Sequence, residues 1–240
     1  ESGASDHVYD SNVGWNKYNG WGSNHQSWMW KRHAGFDVVT YKGNEVSGRQ
    51  LPHNLSKIPE MMWVKSRSNA EDWAVYHKGL NGGTNPEQYY ILLNTTAAEV
   101  GVNTNRWKQT APTATHFTLG DAGIVNAAQD YIAMLFASVD GISKVGYYTG
   151  DGSTSHTITT GFQPRFLIIK ITNGANSWFV YDSVRGLGSG NDPYLQLENT
   201  NAQGGTSDDV FSVSSTGFTI LKSWDSVNGT SNKYIYYAHA

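Results

Sequence analysis

The fold is decided by the stretch Pro59-Glu60-Met61-Met62-Trp63-Val64-Lys65, which is followed by Trp73-Ala74-Val75-Tyr76. The chain repeats this pattern 105 residues later, with Pro164 to Lys170 and then Trp178-Phe179-Val180-Tyr181. Each copy has two β-prone runs joined by a short polar loop, which is the pattern of a β-hairpin. The sequence therefore predicts two similar β units in tandem.

The repeat extends outward from this hairpin on both sides. Asn94-Thr95-Thr96-Ala97 matches Asn199-Thr200-Asn201-Ala202 at the same offset of 105. Tyr41-Lys42-Gly43-Asn44 matches Tyr148-Thr149-Gly150-Asp151 at an offset of 107. Small drifts of this kind are typical of loop insertions, because surface loops tolerate changes of length.

These matches predict the organisation of the chain. We expect a first β repeat over residues 35–141 and a second over residues 142–240, each large enough to bury its own core. Residues 1–34 match neither repeat and contain four Trp among Gly, Asn and Ser, so we expect an irregular N-terminal arm or connector there.

Short alternating runs separated by Gly- and Asn-rich turns fill both repeats, which is typical of an all-β sandwich. We therefore predict two tandem antiparallel β-sandwich-like units, lectin-like in character. The expected strands are 36–41, 61–65, 72–77, 89–93, 115–119, 131–137, 144–148, 166–171, 177–182, 194–197, 210–213, 217–221 and 233–237.

Composition narrows the classes of partner. Charged residues are 15% of the 240, aromatic residues 13%, and the net charge is −3, which favours a β-rich extracellular or particle-surface protein. The longest basic stretch is Lys31-Arg32, so we expect no nucleic-acid partner. No apolar run approaches the ~20 residues of a membrane span, so we expect no membrane insertion. The first residue is Glu1, from which we expect a processed or partial chain.

Aromatic residues in polar loops are the candidate binding residues. Trp107 follows Asn105 and Arg106 in one such loop, and Trp224 precedes Asp225 in another. A flat apolar ring beside directional donors and acceptors suits a stacked sugar or a protein contact. The alternative for both Trp residues is packing against the other repeat. We predict ligand binding by Asn105, Arg106, Trp107, Trp224 and Asp225.

No pattern in the sequence predicts a catalytic or metal site, and we expect a non-enzyme without a cofactor. Calcium is the one metal alternative, because Asp151 and Asp208-Asp209 lie in oxygen-rich loops, although Asx turns explain the same residues. Paired carboxylates could in principle hydrolyse glycosides. The candidates are Glu71, Asp72, Asp182 and Glu198, and no motif frames any of them.

The order of the repeated pieces resembles a tandem-repeat β domain of phage virion proteins, especially tail-fibre and related surface proteins of marine and cyanobacterial phages. The pieces that carry the resemblance begin with GFDVVTYKGN from residue 35 and PEMMWVKSRSNAEDWAVYHKGL from residue 59. They continue with GFQPRFLIIKITNGANSWFVYDSVRG from residue 161 and reach the end of the chain. The resemblance implies a non-enzymatic virion module, often C-terminal in a longer fibre or capsid-associated protein, and it assigns no binding residues.

Three functions follow as hypotheses. The leading one is a structural and recognition domain of a tail fibre or surface spike, located at the virion surface or outside cells. Its expected partners are other virion subunits and a host-surface glycan or receptor, with a homo-oligomer, preferably a trimer, supplying avidity. The second is a carbohydrate-binding module of a polysaccharide-degrading enzyme. The third, least favoured, is a glycoside hydrolase.

Overall fold

The computed structural model describes residues 28–32 and 34–240, and strands make up almost all of its regular secondary structure. Contacts divide the chain at Trp30, and Lys31–Ala240 forms one compact unit that holds every element below. The predicted N-terminal arm, residues 1–34, lies mostly outside the described residues. No helix among the described residues is long and apolar enough to cross a bilayer.

The first half of the compact unit contains seven strands, a four-residue helix and two 3-10 turns. The strands are β1 (Phe36–Lys42), β2 (Arg49–Pro52), β3 (Met61–Ser66), β4 (Ala74–His77), β5 (Ile91–Leu92), β6 (His116–Leu119) and β7 (Asp130–Phe136). The 3-10 turns are Leu80–Gly83 and Pro86–Gln88, and the helix α1 is Gly123–Asn126. Five strands form a sheet in the order β1-β7-β3-β4-β5, and β2 pairs with β6.

The second half contains eight strands. They are β8 (Ser143–Thr149), β9 (His156–Thr159), β10 (Phe166–Ile171), β11 (Phe179–Asp182), β12 (Tyr194–Gln196), β13 (Phe211–Ser214), β14 (Gly217–Ile220) and β15 (Lys233–His239). Five of them form a sheet in the order β8-β15-β10-β11-β12, and three form a second sheet, β13-β14-β9.

The two halves have the same strand order, except that β13 of the second half has no counterpart in the first. In the large sheets β1, β7, β3, β4 and β5 correspond to β8, β15, β10, β11 and β12, and β2–β6 corresponds to β9–β14. Every pairing between these strands is antiparallel. The all-β, sandwich-like prediction is confirmed. The division into two tandem units, with its boundary between residues 141 and 142, stays a prediction, since residues 31–240 form one compact unit.

Each half buries its own core between its large and its small sheet. Side chains alternate across a strand, so Met62 and Val64 of β3 face the first core, where they meet Leu51 of β2 and Phe117 of β6. The second core is built in the same way from Leu167 and Ile169 of β10, with Ile158 of β9 and Phe218 of β14.

The opposite faces of the two large sheets are buried against each other. Phe136 and Tyr237 place their ring centroids 5.1 Å apart, and the indole Nε1 of Trp178 donates a hydrogen bond to the Leu92 carbonyl at 2.8 Å. Lys170 is fully buried here, and its Nζ donates to the carbonyls of Thr96 (3.1 Å) and Asn176 (2.6 Å). Burial lowers the pKa of Lys170 to about 8, against the opposing effect of the Glu198 charge.

His77 of β4 is a neutral, buried residue at this contact. Its Nδ1 accepts a hydrogen bond from the backbone N–H of Gly79 at 2.9 Å, so its proton lies on Nε2, which donates to the Tyr236 carbonyl at 3.2 Å. Burial lowers the pKa of His77 to about 3; Lys78 lowers it further, while the Tyr236 carbonyl and Glu60 act against burial.

His77 therefore predicts loss of stability in acid. Below pH 6.5 the imidazole of His77 binds a proton in the unfolded chain but stays neutral in the folded chain. Its contribution to stability is therefore complete above pH 6.5 and is lost as the pH falls toward 3. We expect this residue to remove roughly 3 kcal/mol from the free energy of unfolding between about pH 6.5 and 4. Denaturant titrations across this range test it, with His77→Gln as the reference because its amide can replace both hydrogen bonds. Identical pH slopes for the two proteins would contradict the assignment.

Candidate functional site

A pair of stacked tyrosines anchors the same loop in each half. Tyr41 and Tyr131 stack with ring centroids 5.1 Å apart, and Tyr148 and Tyr234 stack at 4.9 Å. The hydroxyl of Tyr41 donates to the Val125 carbonyl at 2.6 Å, and that of Tyr148 donates to the carbonyl of Val227 at the same distance. Each pair thus holds the loop that precedes the last strand of its half.

A buried asparagine follows each of these valines. We call the loop before the last strand, together with the tyrosines and the asparagine that hold it, the corner of that half. Asn126 donates through Nδ2 to the carbonyls of Val46 (3.0 Å) and Gly120 (2.9 Å). Asn228 donates to Oδ1 of Asp151 (2.8 Å) and to the carbonyl of Ser153 (2.9 Å). Both side chains are fully buried. The asparagines therefore fasten the loop to the turn after the first strand of each half.

Trp224 lies on the second of these corners. Its carbonyl accepts the N–H groups of Val227 (3.0 Å) and Asn228 (2.7 Å), and its side chain is 42% exposed. Ala122 makes the same two contacts in the first half, accepting from Val125 and Asn126 at 2.9 Å each. The corner therefore forms with alanine at this position, and the exposed indole is an addition that the fold does not require.

The ammonium of Lys222 lies over the exposed indole, and further polar side chains belong to the same loop. The Nζ of Lys222 lies 5.2 Å from the centroid of the Trp224 ring and 3.9 Å from Oδ1 of Asp208. Asp225 is exposed, and its Oδ1 accepts a hydrogen bond from Nδ2 of Asn232 at 3.1 Å. An apolar face with an ammonium, carboxylates and an amide beside it can stack on a sugar ring and hydrogen-bond its hydroxyls. We call Lys222, Trp224, Asp225 and Asn232 the Trp224 corner.

Asp151, on the adjoining turn, is held as a carboxylate. The backbone N–H of Ser153 and the side chain of Asn228 donate to it and lower its pKa to about 2, with a smaller contribution from His156. Ser153 N lies 2.8 Å from Oδ1, which is the geometry of an Asx turn. Within residues 28–32 and 34–240, no cluster of His, Asp and Glu could hold a metal ion. Calcium stays an untested alternative.

Trp107, which the sequence analysis predicts to bind a ligand, is buried. The side chain is only 1% exposed, it packs edge-on against Tyr76 with centroids 6.1 Å apart, and its Nε1 donates to the Tyr89 carbonyl at 3.0 Å. In the second core, Phe211 packs edge-on against Tyr181 in the same way, with centroids 4.8 Å apart. Trp107 is thus a core residue, and it has no open face for a ligand to stack on.

The two predicted neighbours of Trp107 lie at the surface of the first half. Arg106 places its guanidinium carbon 4.2 Å from the centroid of the Tyr90 ring, and its carbonyl accepts the Gly120 N–H at 2.7 Å. Asn105 is exposed, and its carbonyl accepts the N–H of Ala122 at 2.9 Å. Asn105 and Arg106 thus support the corner of the first half, whereas Trp224 and Asp225 lie on that of the second. The five predicted residues do not form one site.

Three of the four acids considered for glycoside hydrolysis have structural contacts, and the fourth, Glu71, is exposed in the loop between β3 and β4. Asp182 is buried and forms an ion pair with Arg185. Glu198 accepts the backbone N–H of Trp178 at 3.0 Å, and Asp72 accepts from Nδ2 of Asn94 at 2.8 Å. These contacts account for the three side chains as supports of turns and strand ends.

The residues that build both corners are not among the predicted site residues, although the sequence repeats a dipeptide at both places. Val125-Asn126 and Val227-Asn228 repeat the same dipeptide before the last strand of each half, and both corners use a tyrosine from each of the two flanking strands. Only the hydrogen bonds show that these residues act together.

Comparison with curated proteins and with solved structures gives no match. A family model described as a domain of unknown function, DUF7483, matches residues 5–240. This range includes both large sheets, both small sheets and the two corners. The chain therefore belongs to the DUF7483 family.

Proposed function

We propose that this chain is a non-enzymatic structural and recognition module of a phage virion protein, as part of a tail fibre or surface spike. It contacts a host-surface glycan or another virion protein through the Trp224 corner. The observation that supports this most is the exposed indole of Trp224, which stands on a corner that forms equally with Ala122 in the first half. Tryptophan is enriched among the residues that supply most of the binding energy at interfaces.

The fold suits such a role mechanically. The corner is fastened by the Tyr148–Tyr234 stack and by the buried Asn228, so the indole is presented on a fixed loop with little loop entropy to lose on binding. One such contact is weak, because a single Trp and a few hydrogen bonds bury little area. Several copies on one particle would convert it into strong attachment through avidity.

The test is binding of the isolated chain to a glycan array and to host cells. Trp224→Ala is expected to weaken binding by at least about thirtyfold, corresponding to the roughly 2 kcal/mol of an interface hot spot. Its thermal stability should stay within about 0.5 kcal/mol of the parent, since the substitution recreates the Ala122 corner. Val102→Ala, at a 73% exposed position in the first half, is the matched control and should bind normally. Full binding by Trp224→Ala would overturn the proposal.

A carbohydrate-binding module of a polysaccharide-degrading enzyme is the second candidate, favoured by Lys222, Asp225 and Asn232 beside the indole. It predicts binding to a soluble polysaccharide without adsorption to host cells. Affinity electrophoresis of the parent and of Trp224→Ala in polysaccharide-containing gels separates it from the first. Neighbouring genes for capsid and tail proteins, or for glycosidases, give an independent answer.

A further inference from the structure

The contact between the two halves joins two different surfaces. The first half contributes residues around His77, Gly79, Leu92, Thr96 and Glu99, which we call the donor surface. The second half contributes a receiving face, made of the positions Tyr147, Lys170, Thr172, Trp178 and Lys233. The backbone contacts confirm this asymmetry: Glu99 N–H donates to the Thr172 carbonyl at 2.8 Å, and that of Asn176 donates to the Thr96 carbonyl at 2.9 Å.

Because the large sheets of both halves have one topology, each half carries both surfaces. The strand pairings place Thr40, Lys65 and Ile132 in the first half where Tyr147, Lys170 and Ile235 stand in the second. The first half therefore has a second receiving face, which includes Trp73 as the counterpart of Trp178. In the same way the second half has a second donor surface, with Val184 in the place of Gly79 and a loop ending at Gln203.

Burial shows that the second receiving face is not covered as the first one is. Lys170, Trp178 and Ile235 are at most 1% exposed, whereas Lys65, Trp73 and Ile132 are only partly buried.

Thr40 is exposed and lies beside an open groove of about 240 Å³. The residues lining this groove are Thr40, Tyr41, Lys42, Arg67, Asp130 and Tyr131. The counterparts of Thr40, Arg67 and Asp130 are Tyr147, Thr172 and Lys233, which lie at the donor surface of the first half. There Thr172 accepts from Glu99, and Tyr147, although 47% exposed, packs on Gly79.

The second donor surface is exposed as well. Val184 is 87% exposed, more than any other large apolar side chain of the described chain, and Thr200 and Gln203 are exposed. The two pairs of surfaces differ in which partner carries the larger side chain. Inside the chain Gly79 packs against Tyr147, and a Cβ added to Gly79 would lie 2.4 Å from the Cβ of Tyr147. On the free surfaces the larger Val184 would meet the smaller Thr40.

We propose that a second copy of this chain docks its second donor surface, around Val184, on the receiving face of the first half, around Thr40, Lys65 and Trp73. The contact repeats between copies the one that already joins the two halves. It is head-to-tail, so it closes into a ring when the rotation per copy allows and otherwise extends as a filament. A trimeric ring is one such closed form. This inference does not depend on ligand binding at the Trp224 corner.

Two substitutions at exposed positions test the contact without touching either core. Thr40→Arg blocks the receiving face, and Val184→Arg blocks the donor surface. Sedimentation velocity of the full chain, from micromolar to the highest soluble concentration, should show the parent assembling above its 26.4 kDa monomer mass. Each variant alone should have its self-dissociation constant raised about tenfold or more. Val46→Arg, at a 57% exposed position outside the contact, should assemble like the parent.

Mixing the two variants gives the sharpest result. Each keeps one intact surface, so an equimolar mixture should form a one-to-one dimer and stop there, whereas a self-complementary contact would not be restored by mixing. A parent that stays monomeric at every concentration overturns the proposal, and so does an oligomer that both variants retain. Trp224→Ala should assemble like the parent, so failure of the ligand-binding proposal is distinguishable from failure of this one.

Discussion

Replacing Asp192 with alanine is expected to lower the free energy of unfolding by about 4 kcal/mol, the largest effect of any single carboxylate in the second half. The carboxylate is fully buried and accepts three backbone hydrogen bonds: Gly188 N–H at 2.6 Å, and the N–H groups of Val210 and Phe211 at 2.7 Å each. Alanine leaves three buried donors without an acceptor, each costing about 1–3 kcal/mol, less whatever water enters the gap.

The same carboxylate connects the Gly-rich loop after β11 to the start of β13, so its loss should also loosen Phe211 in the second core. Urea denaturation at neutral pH, with Asp209→Ala as the control, measures the cost. Asp209 is exposed, so its removal deletes one negative charge at little cost in stability. Equal midpoints for the two variants would show that Asp192 does not hold this loop.

Trp178→Ala is expected to lower the free energy of unfolding by about 3–5 kcal/mol, whereas Trp73→Ala should cost only about 1 kcal/mol. The two residues occupy corresponding positions. Trp178 is 1% exposed and bonded to Leu92 across the contact between the halves, while Trp73 is partly exposed. The difference therefore measures how unequally the two receiving faces are covered.

This comparison must be made with dilute protein, because self-association would bury Trp73 and raise its cost. Thermal and urea denaturation below the assembly concentration suffice, and raising the concentration should increase the cost of Trp73→Ala alone. Similar losses for both variants in dilute solution would contradict the asymmetric contact on which the self-association proposal rests.

The sequence was sufficient for the class of fold and for most strands. The alternating apolar runs of both hairpins fall on β3, β4, β10 and β11 as expected, because an inward-facing apolar residue at every second position leaves a clear pattern.

Two strands were missed, β2 (Arg49–Pro52) and β9 (His156–Thr159), which correspond to each other. Each offers a single inward apolar residue, Leu51 or Ile158, among polar ones, so no alternation is visible. Their pairing depends on the distant strands β6 and β14, which sequence pattern cannot show.

The match between repeats also slipped by one residue where the sequence is polar. The repeat pattern aligned Asn94 with Asn199, but the position equivalent to Asn94 is Glu198. The Asn94 side chain accepts the N–H of Trp73, and the Glu198 side chain accepts the N–H of Trp178. Identity of side chains misled the alignment because backbone register, and not the residue type, sets which acceptor meets which donor.

The candidate site was predictable only in part. Flanking polar residues made the loops of Trp107 and Trp224 look alike, yet only Trp224 is exposed. Trp107 is buried in the first core, where its ring packs edge-on against Tyr76 and its Nε1 donates to the Tyr89 carbonyl. Both partners come from elements distant in sequence. A single sequence does not show which aromatic loop residue finds such partners.

Ligand contact at Trp224 can be measured with a two-dimensional ¹⁵N–¹H spectrum of the indole N–H groups, recorded while a ligand identified on the glycan array is added. The peak missing from the spectrum of Trp224→Ala identifies Trp224. This peak is expected to shift on binding, while the peaks of the buried indoles of Trp107 and Trp178 stay in place. Saturable binding that leaves the Trp224 peak unmoved would contradict the proposed contact at Trp224.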